Sequence, residues 1–140
     1  MNCLKSLCLA ASAAALLAAG PAFADGDAAK GEKVFKKCAA CHSVEPGVNK
    51  VGPSLHGVFG RHAGTGEGYS YSKLNGEASE VGLVWNDETL MDYLVDPQKF
   101  LETYVSSNGG TPDGRTKMTF KLKKEKERAD VIAYLKTLSD

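Results

Sequence analysis

The chain has 140 residues, 43% of them hydrophobic and 24% charged, with 17 basic residues matched by 17 acidic ones. This neutrality argues against a nucleic-acid binder, which needs a basic excess. The length suits one domain that is small for a self-sufficient core, a gap that a large buried cofactor would fill.

In chain order, Lys5, the Ala/Leu-rich run from Leu7 to Ala19, the Gly20-Pro21 break and Ala22-Phe23-Ala24 follow the plan of a secretory signal peptide cleaved before Asp25. The apolar run falls short of the ~20 residues that a membrane-spanning helix needs, so an uncleaved anchor is the weaker reading. The expected organisation is a signal peptide over 1–24 and one domain over 25–140. Loss of Lys5 leaves the exported domain with one net negative charge, 16 bases against 17 acids. Cys3 and Cys8 depart with the leader, and Cys38 and Cys41 remain.

Asp27 can cap a helix running to about Cys38, with Gly31, Val34, Phe35 and Cys38 on one side and lysines on the other. From Pro46 to Gly68 the density of Gly and Pro rules out a long regular element and predicts a loop wrapped around a cofactor or core. Phe59, Tyr69, Tyr71 and Trp85 could line an apolar crevice there. Asn86 or Asp87 caps a short helix carrying Leu90, Tyr93 and Leu94. Asp96-Pro97 ends that helix and starts another through Phe100 to Tyr104, after which Ser106 to Gly114 reads as a surface loop. The last helix spans about Lys124 to Leu138, with Val131, Ile132, Tyr134, Leu135 and Leu138 on its apolar side. No stretch alternates with period two, so the fold class is all-α.

Charge is unevenly spread. Lys30, Lys33, Lys36 and Lys37 form one basic stretch and Lys117 to Arg128 another, while Asn75 to Gly114 is mostly acidic. Lys123 and Lys124 also place positive charge at the positive end of the last helix dipole. Two readings stay open: a docking face for an acidic partner, or a solvated basic surface.

Cys38-Ala39-Ala40-Cys41-His42 carries the chemistry. Cys-x-x-Cys-His is the attachment signature of c-type haem (heme c), in which both thiols bind the porphyrin and the histidine faces the iron. A zinc site using His56 or His62 would leave His42 unexplained, and a thioredoxin-like pair wants a βαβ setting that is absent. His42 is therefore the expected proximal iron ligand. Of the two methionines beyond the leader, Met91 sits in an amphipathic helical pattern, whereas Met118 lies in a short segment that can present its thioether to the iron. Met118 is the preferred distal ligand over His56 or His62. A thioether is a soft ligand favouring ferrous iron, and two protein ligands leave no place for a substrate. The expectation is outer-sphere electron transfer, with no catalytic residue and no small-molecule substrate.

These residues, with Gly31 and Phe35, Gly52-Pro53-Ser54-Leu55-His56-Gly57, Phe59-Gly60-Arg61, Tyr69-Ser70-Tyr71, Trp85, Thr89 to Leu94, Thr116-Lys117-Met118 and Val131 to Leu135, make the chain resemble class I cytochrome c of the bacterial cytochrome c2 type. The resemblance covers nearly all of 25–140 and implies short helices and loops around one covalent haem. It further implies that the Pro53 carbonyl holds His42, that Tyr93 reaches the Met118 sulfur, and that Arg61, Tyr71, Trp85 and Thr116 surround the haem propionates. Asn75 would lie near a buried water, and Gly31 and Phe35 would cross Tyr134 and Leu135. The connection from Phe100 to Met118 is longer than in short mitochondrial-type relatives, and Lys123 stands where many relatives have a better helix cap.

The implied protein is a monomeric periplasmic one-electron carrier between a cytochrome bc complex and a terminal oxidase or photosynthetic reaction centre. It would dock through a lysine-rich face that includes Lys36, Lys37, Lys121 and Lys124. A haem peroxidase or gas sensor with a labile Met118 is the alternative of another class, and a dedicated acceptor for one periplasmic dehydrogenase is a third option.

Overall fold

A computed structural model describes residues 25–139; the expected leader, with Cys3 and Cys8, lies outside the described residues. Five helices follow in order: α1 (Ala28–Phe35), α2 (Lys73–Glu80), α3 (Asp87–Tyr93), α4 (Pro97–Ser107) and α5 (Glu125–Lys136). Among the described residues there is no strand, only an isolated antiparallel bridge between His62 and Val84. None of their helices is long and apolar enough to cross a membrane.

Asp27 caps α1 as expected, its carboxylate accepting from the Lys30 N–H at 3.1 Å. The helix ends at Phe35 rather than Cys38. Beyond it the chain tightens into single turns, with Cys38 N–H on the Phe35 carbonyl at 2.7 Å and His42 N–H on the Cys38 carbonyl at 2.9 Å. The cysteine pair is thus presented on turns rather than on a helix face. A Cβ on Gly31 would overlap the Asp130 carbonyl, so glycine is what permits α1 and α5 to approach backbone to backbone. Phe35 meets Tyr134 at this crossing, with ring centroids 5.6 Å apart. The Asp27 N–H reaches Asp130 Oδ1 at 2.8 Å.

The glycine-rich stretch is a loop, but it closes into α2, which the sequence reading missed. Its Lys-Leu-Asn-Gly core reads as a turn, and two fully buried apolar residues, Leu74 and Ala78, give too short a period to override that signal. Asn86, not Asp87, caps α3: it accepts from Thr89 N–H while Thr89 Oγ1 accepts from Asn86 N–H, both at 2.9 Å.

Asp96 and Pro97 open α4 in the expected roles. That helix continues to Ser107, through the start of the predicted loop. Leu101 and Val105, four residues apart and fully buried, anchor the additional turn. The Ser106 hydroxyl supports it by donating to the Glu102 carbonyl at 2.8 Å.

Lys124, one residue after the Lys123 expected in that place, precedes α5 without a side-chain capping bond. Chain entry is fixed by buried Arg128 instead, whose Nη1 donates to the Leu122 and Lys123 carbonyls at 2.9 and 2.7 Å.

Candidate haem-binding site

The loops and helices enclose a cavity of about 470 Å³. Its lining includes Cys38, Cys41 and His42 from the turns after α1, Arg61 and Tyr71 from the long loop, Trp85 and Tyr93 around α3, and Thr116 and Met118 from the segment before α5. Every site residue named from the sequence therefore meets on one surface. His56, His62 and Met91 do not line it, and Met91 is buried in the core.

The His42 ring is held from two directions. Its Nδ1 lies 2.7 Å from the Pro53 carbonyl, an acceptor only, so Nδ1 carries the proton and Nε2 keeps a lone pair. Burial disfavours the imidazolium and lowers the His42 pKa, with the Pro53 bond opposing more weakly. Gly52 packs flat against the same ring, where a Cβ would stand 2.8 Å from Nδ1. Its N–H is fixed to the Cys41 carbonyl at 2.7 Å. Cys38 is half-buried and Cys41 exposed, both on the wall of the cavity.

Met118 is partly buried, and the Tyr93 hydroxyl donates to its sulfur at 3.4 Å. Burial drives the Tyr93 pKa well above the ordinary tyrosine value, so the phenol remains a donor. The backbone beneath Met118 hangs from a polar chain. Its N–H donates to Thr116 Oγ1 at 3.3 Å, Thr116 Oγ1 donates to Asn75 Oδ1 at 3.4 Å, and the Ser72 hydroxyl donates to the same oxygen at 2.9 Å. Helix α2 thereby reaches the methionine segment. Gln98, which sequence reasoning passed over, contributes as well: its Oε1 accepts from Thr116 N–H at 2.8 Å and its Nε2 donates to the Gly114 carbonyl at 3.2 Å. A polar residue on a half-exposed helix face gives no periodic signal, and only the folded partners reveal it.

Arg61 uses both terminal nitrogens on backbone carbonyls, Nη1 on His56 at 3.2 Å and Nη2 on Ser54 at 3.3 Å, while its buried Nε has no protein partner. The Tyr71 oxygen accepts from Gly66 N–H at 3.0 Å and keeps its own proton to donate. Trp85 packs on Tyr93, with centroids 4.7 Å apart.

The basic stretches are less free than their sequence suggests. Lys37 pairs with Glu127 at 2.7 Å, Lys124 with the same carboxylate at 3.5 Å, and Lys121 with Asp96 at 2.5 Å. Lys117 donates to the Ser70 carbonyl and lies 5.3 Å over the Tyr69 ring.

Comparison with known proteins agrees with this geometry. The family model described as Cytochrome c matches residues 28–139. Cytochrome c2 iso-1 of Rhodospirillum centenum is 55% identical over 120 residues, covering 83% of this chain and 99% of the relative. A cytochrome c2 of Rhodopseudomonas palustris is 53% identical over 114 residues, covering 80% and 98%. The solved structure of cytochrome c2 from Rhodospirillum centenum superposes with a TM-score of 0.79 at 52% identity, covering 82% of this chain and 100% of that one. With the family match running through both the cysteine motif and Met118, the chain belongs to the cytochrome c family, monohaem electron carriers rather than enzymes, which hold a covalently attached haem c with its iron.

Proposed function

We propose that this chain is a periplasmic one-electron carrier in which Cys38 and Cys41 would hold the haem by thioether bonds and His42 and Met118 would ligate its iron. Its electrons would pass from a cytochrome bc complex to a terminal oxidase or photosynthetic reaction centre. The observation that carries this reading is the pairing, on one cavity, of a neutral imidazole with its Nε2 lone pair free and a thioether held by Tyr93. The site also fits the group in its polar parts. The orphaned Arg61 Nε and the undonated Tyr71 proton suit anionic propionates, and Gly52 leaves the His42 ring the space it occupies.

The haem supplies one reversible electron between ferric and ferrous iron. The protein's part is to orient and enclose. Pro53 fixes the tautomer and ring plane of His42, a support that also raises its basicity as a ligand. Asn75, Thr116 and Tyr93 fix Met118. Trp85, Leu90, Leu94 and Leu135 exclude water from the cavity. With His42 and Met118 both holding the iron there would be no seat for a substrate, which favours electron transfer over peroxidase or gas-sensing chemistry.

Two measurements test this. Ferric wild-type protein should show the far-red sulfur-to-iron absorption band at neutral pH, and Met118→Ala should lack it; a wild type without the band that binds carbon monoxide readily when reduced would instead favour the sensor or peroxidase. Rapid kinetics against an isolated bc complex, oxidase and reaction centre should show second-order electron transfer that weakens with salt. Absence of transfer with all three would sink the assigned partners.

A further inference from the structure

The segment that carries Met118 is tied at both ends to one corner of the fold, the junction of α3 and α4. Downstream, Leu122 N–H donates to the Leu94 carbonyl at 2.7 Å and Lys121 pairs with Asp96 at 2.5 Å. Upstream, the tie to this corner is a single side chain, beside the Thr116–Asn75 bond to α2. Gln98, in the first turn of α4, grips residues 114 and 116 with the two ends of one carboxamide, donating to the Gly114 carbonyl and accepting from the Thr116 N–H. Its Nε2 also donates to Glu102 Oε1 at 2.6 Å, one turn along the helix, which holds the amide in this orientation.

Among the side chains an amide is suited to this grip, because one planar group offers a donor and an acceptor on opposite sides. A carboxylate would keep the bond to Thr116, lose the one to Gly114 and face Glu102 with like charge. The grip acts two residues before Met118, on the same Thr116 whose hydroxyl accepts from the Met118 N–H. Residues 108–114, which follow α4, are held to α2, where the Asp113 N–H donates to Glu77 Oε2 at 2.7 Å and Lys73 pairs with Asp113, so Gln98 is the side chain that holds residues 114 and 116 to α4.

We propose that Gln98 is a positioning residue for Met118. Its carboxamide sets the backbone register of residues 114–116 and so limits how often the thioether leaves its place on the cavity. This rests on the reading of Met118 as an axial ligand. An external ligand can bind only when Met118 is away, so its apparent affinity scales with the displaced fraction.

The test uses the ferric haem-loaded protein and imidazole as the competing probe, followed by loss of the far-red sulfur band, with guanidinium unfolding measured on the same samples. Gln98→Leu should keep the band and raise the apparent imidazole affinity about tenfold, equivalent to ~1.4 kcal/mol. Gln98→Glu, which retains an acceptor for Thr116, should also raise it, and serves if the leucine variant does not fold. Asp27→Ala, which removes the α1 cap at the α1–α5 crossing, controls for general loss of stability. It should lower the unfolding midpoint while leaving imidazole affinity within about twofold of wild type. The role is overturned if the Gln98 variants stay within about twofold of wild type, or if Asp27→Ala raises the affinity as much for an equal loss of midpoint. Absence of the sulfur band in wild type would remove the axial reading and this role together, whereas a normal band with unchanged imidazole affinity removes only the role of Gln98.

Discussion

Two side chains at the cavity separate what a motif specifies from what the surroundings must add. His42 follows Cys41 directly, so its place is set by chain connectivity, and its tautomer is then chosen by the Pro53 carbonyl 2.7 Å away. Met118 has no such covalent neighbour, and its sulfur is placed by the Tyr93 hydroxyl and by the Thr116 and Asn75 chain below it. Tyr93→Phe should preserve the packing against Trp85 and change stability by no more than ~1 kcal/mol. It should nevertheless lower the reduction potential, because a thioether relieved of a hydrogen-bond donor is more electron-rich and stabilises ferric iron better. A redox titration measures this, and a rise in potential would count against the Tyr93–Met118 bond. His42, the cysteines and Met118 stood out as candidates in the sequence because few residue types can do such chemistry, and all four line the cavity. Gln98 was not, since an amide means little until its two partners are known.

Helices were readable where caps and apolar spacing agreed. Asp27, Asn86 and Asp96 all cap as their sequences suggest, and the missing cap before α5 was visible too. Helix α2 escaped because its burial comes from neighbours contributed by α4 and the long loop rather than from a strong amphipathic period. At the α1–α5 crossing, Gly31→Ala should destabilise. The ~1 kcal/mol gain in helix propensity is outweighed, since the new methyl meets the Asp130 backbone and cannot be relieved by a rotamer change. Guanidinium unfolding would show a lower midpoint, and an increase would refute the close approach. Lys124→Asp should act the opposite way. It supplies an N-cap acceptor and removes a positive charge from the positive end of α5, for a gain of ~0.5 to 1 kcal/mol. The ion pair it sacrifices, to Glu127, involves a lysine side chain that is 78% exposed, where such pairs contribute little.

Taken as a whole, the molecule pairs its charges between segments distant in the chain. Lys37–Glu127, Lys121–Asp96 and Lys136–Asp87 each link residues far apart in sequence. Two of these pairs, those of Glu127 and Asp96, affect acid stability together with Asp130. Asp130 has its pKa lowered first by the Asp27 N–H and then by Lys126, Glu127 by Lys37, and Asp96 by Lys121. Carboxylates with depressed folded-state pKa values stabilise fully above their unfolded values of about 4, and that contribution is lost as pH falls through the folded values. The unfolding midpoint should therefore be flat with respect to these groups from neutral pH down to about 5 and fall below about 4. Asp130→Asn should make the acid limb shallower while lowering the midpoint at neutral pH; an acid limb identical to wild type would show that Asp130 is not linked to folding.

The order of residues along the chain was enough to specify the covalent haem chemistry and an all-α fold, and to single out His42 and Met118, which the fold brings to one cavity. Each of these depends on residue type, local spacing or a cap that acts within one turn. Folding settled which polar groups support Met118, where α2 forms and how much of the lysine charge is already neutralised. Those outcomes depend on contacts between distant segments: Asn75 with Thr116, Gln98 with Gly114, Lys37 with Glu127. Hydrogen bonds and ion pairs of this kind are short-ranged and directional, so they exist only once the backbone has brought their partners together.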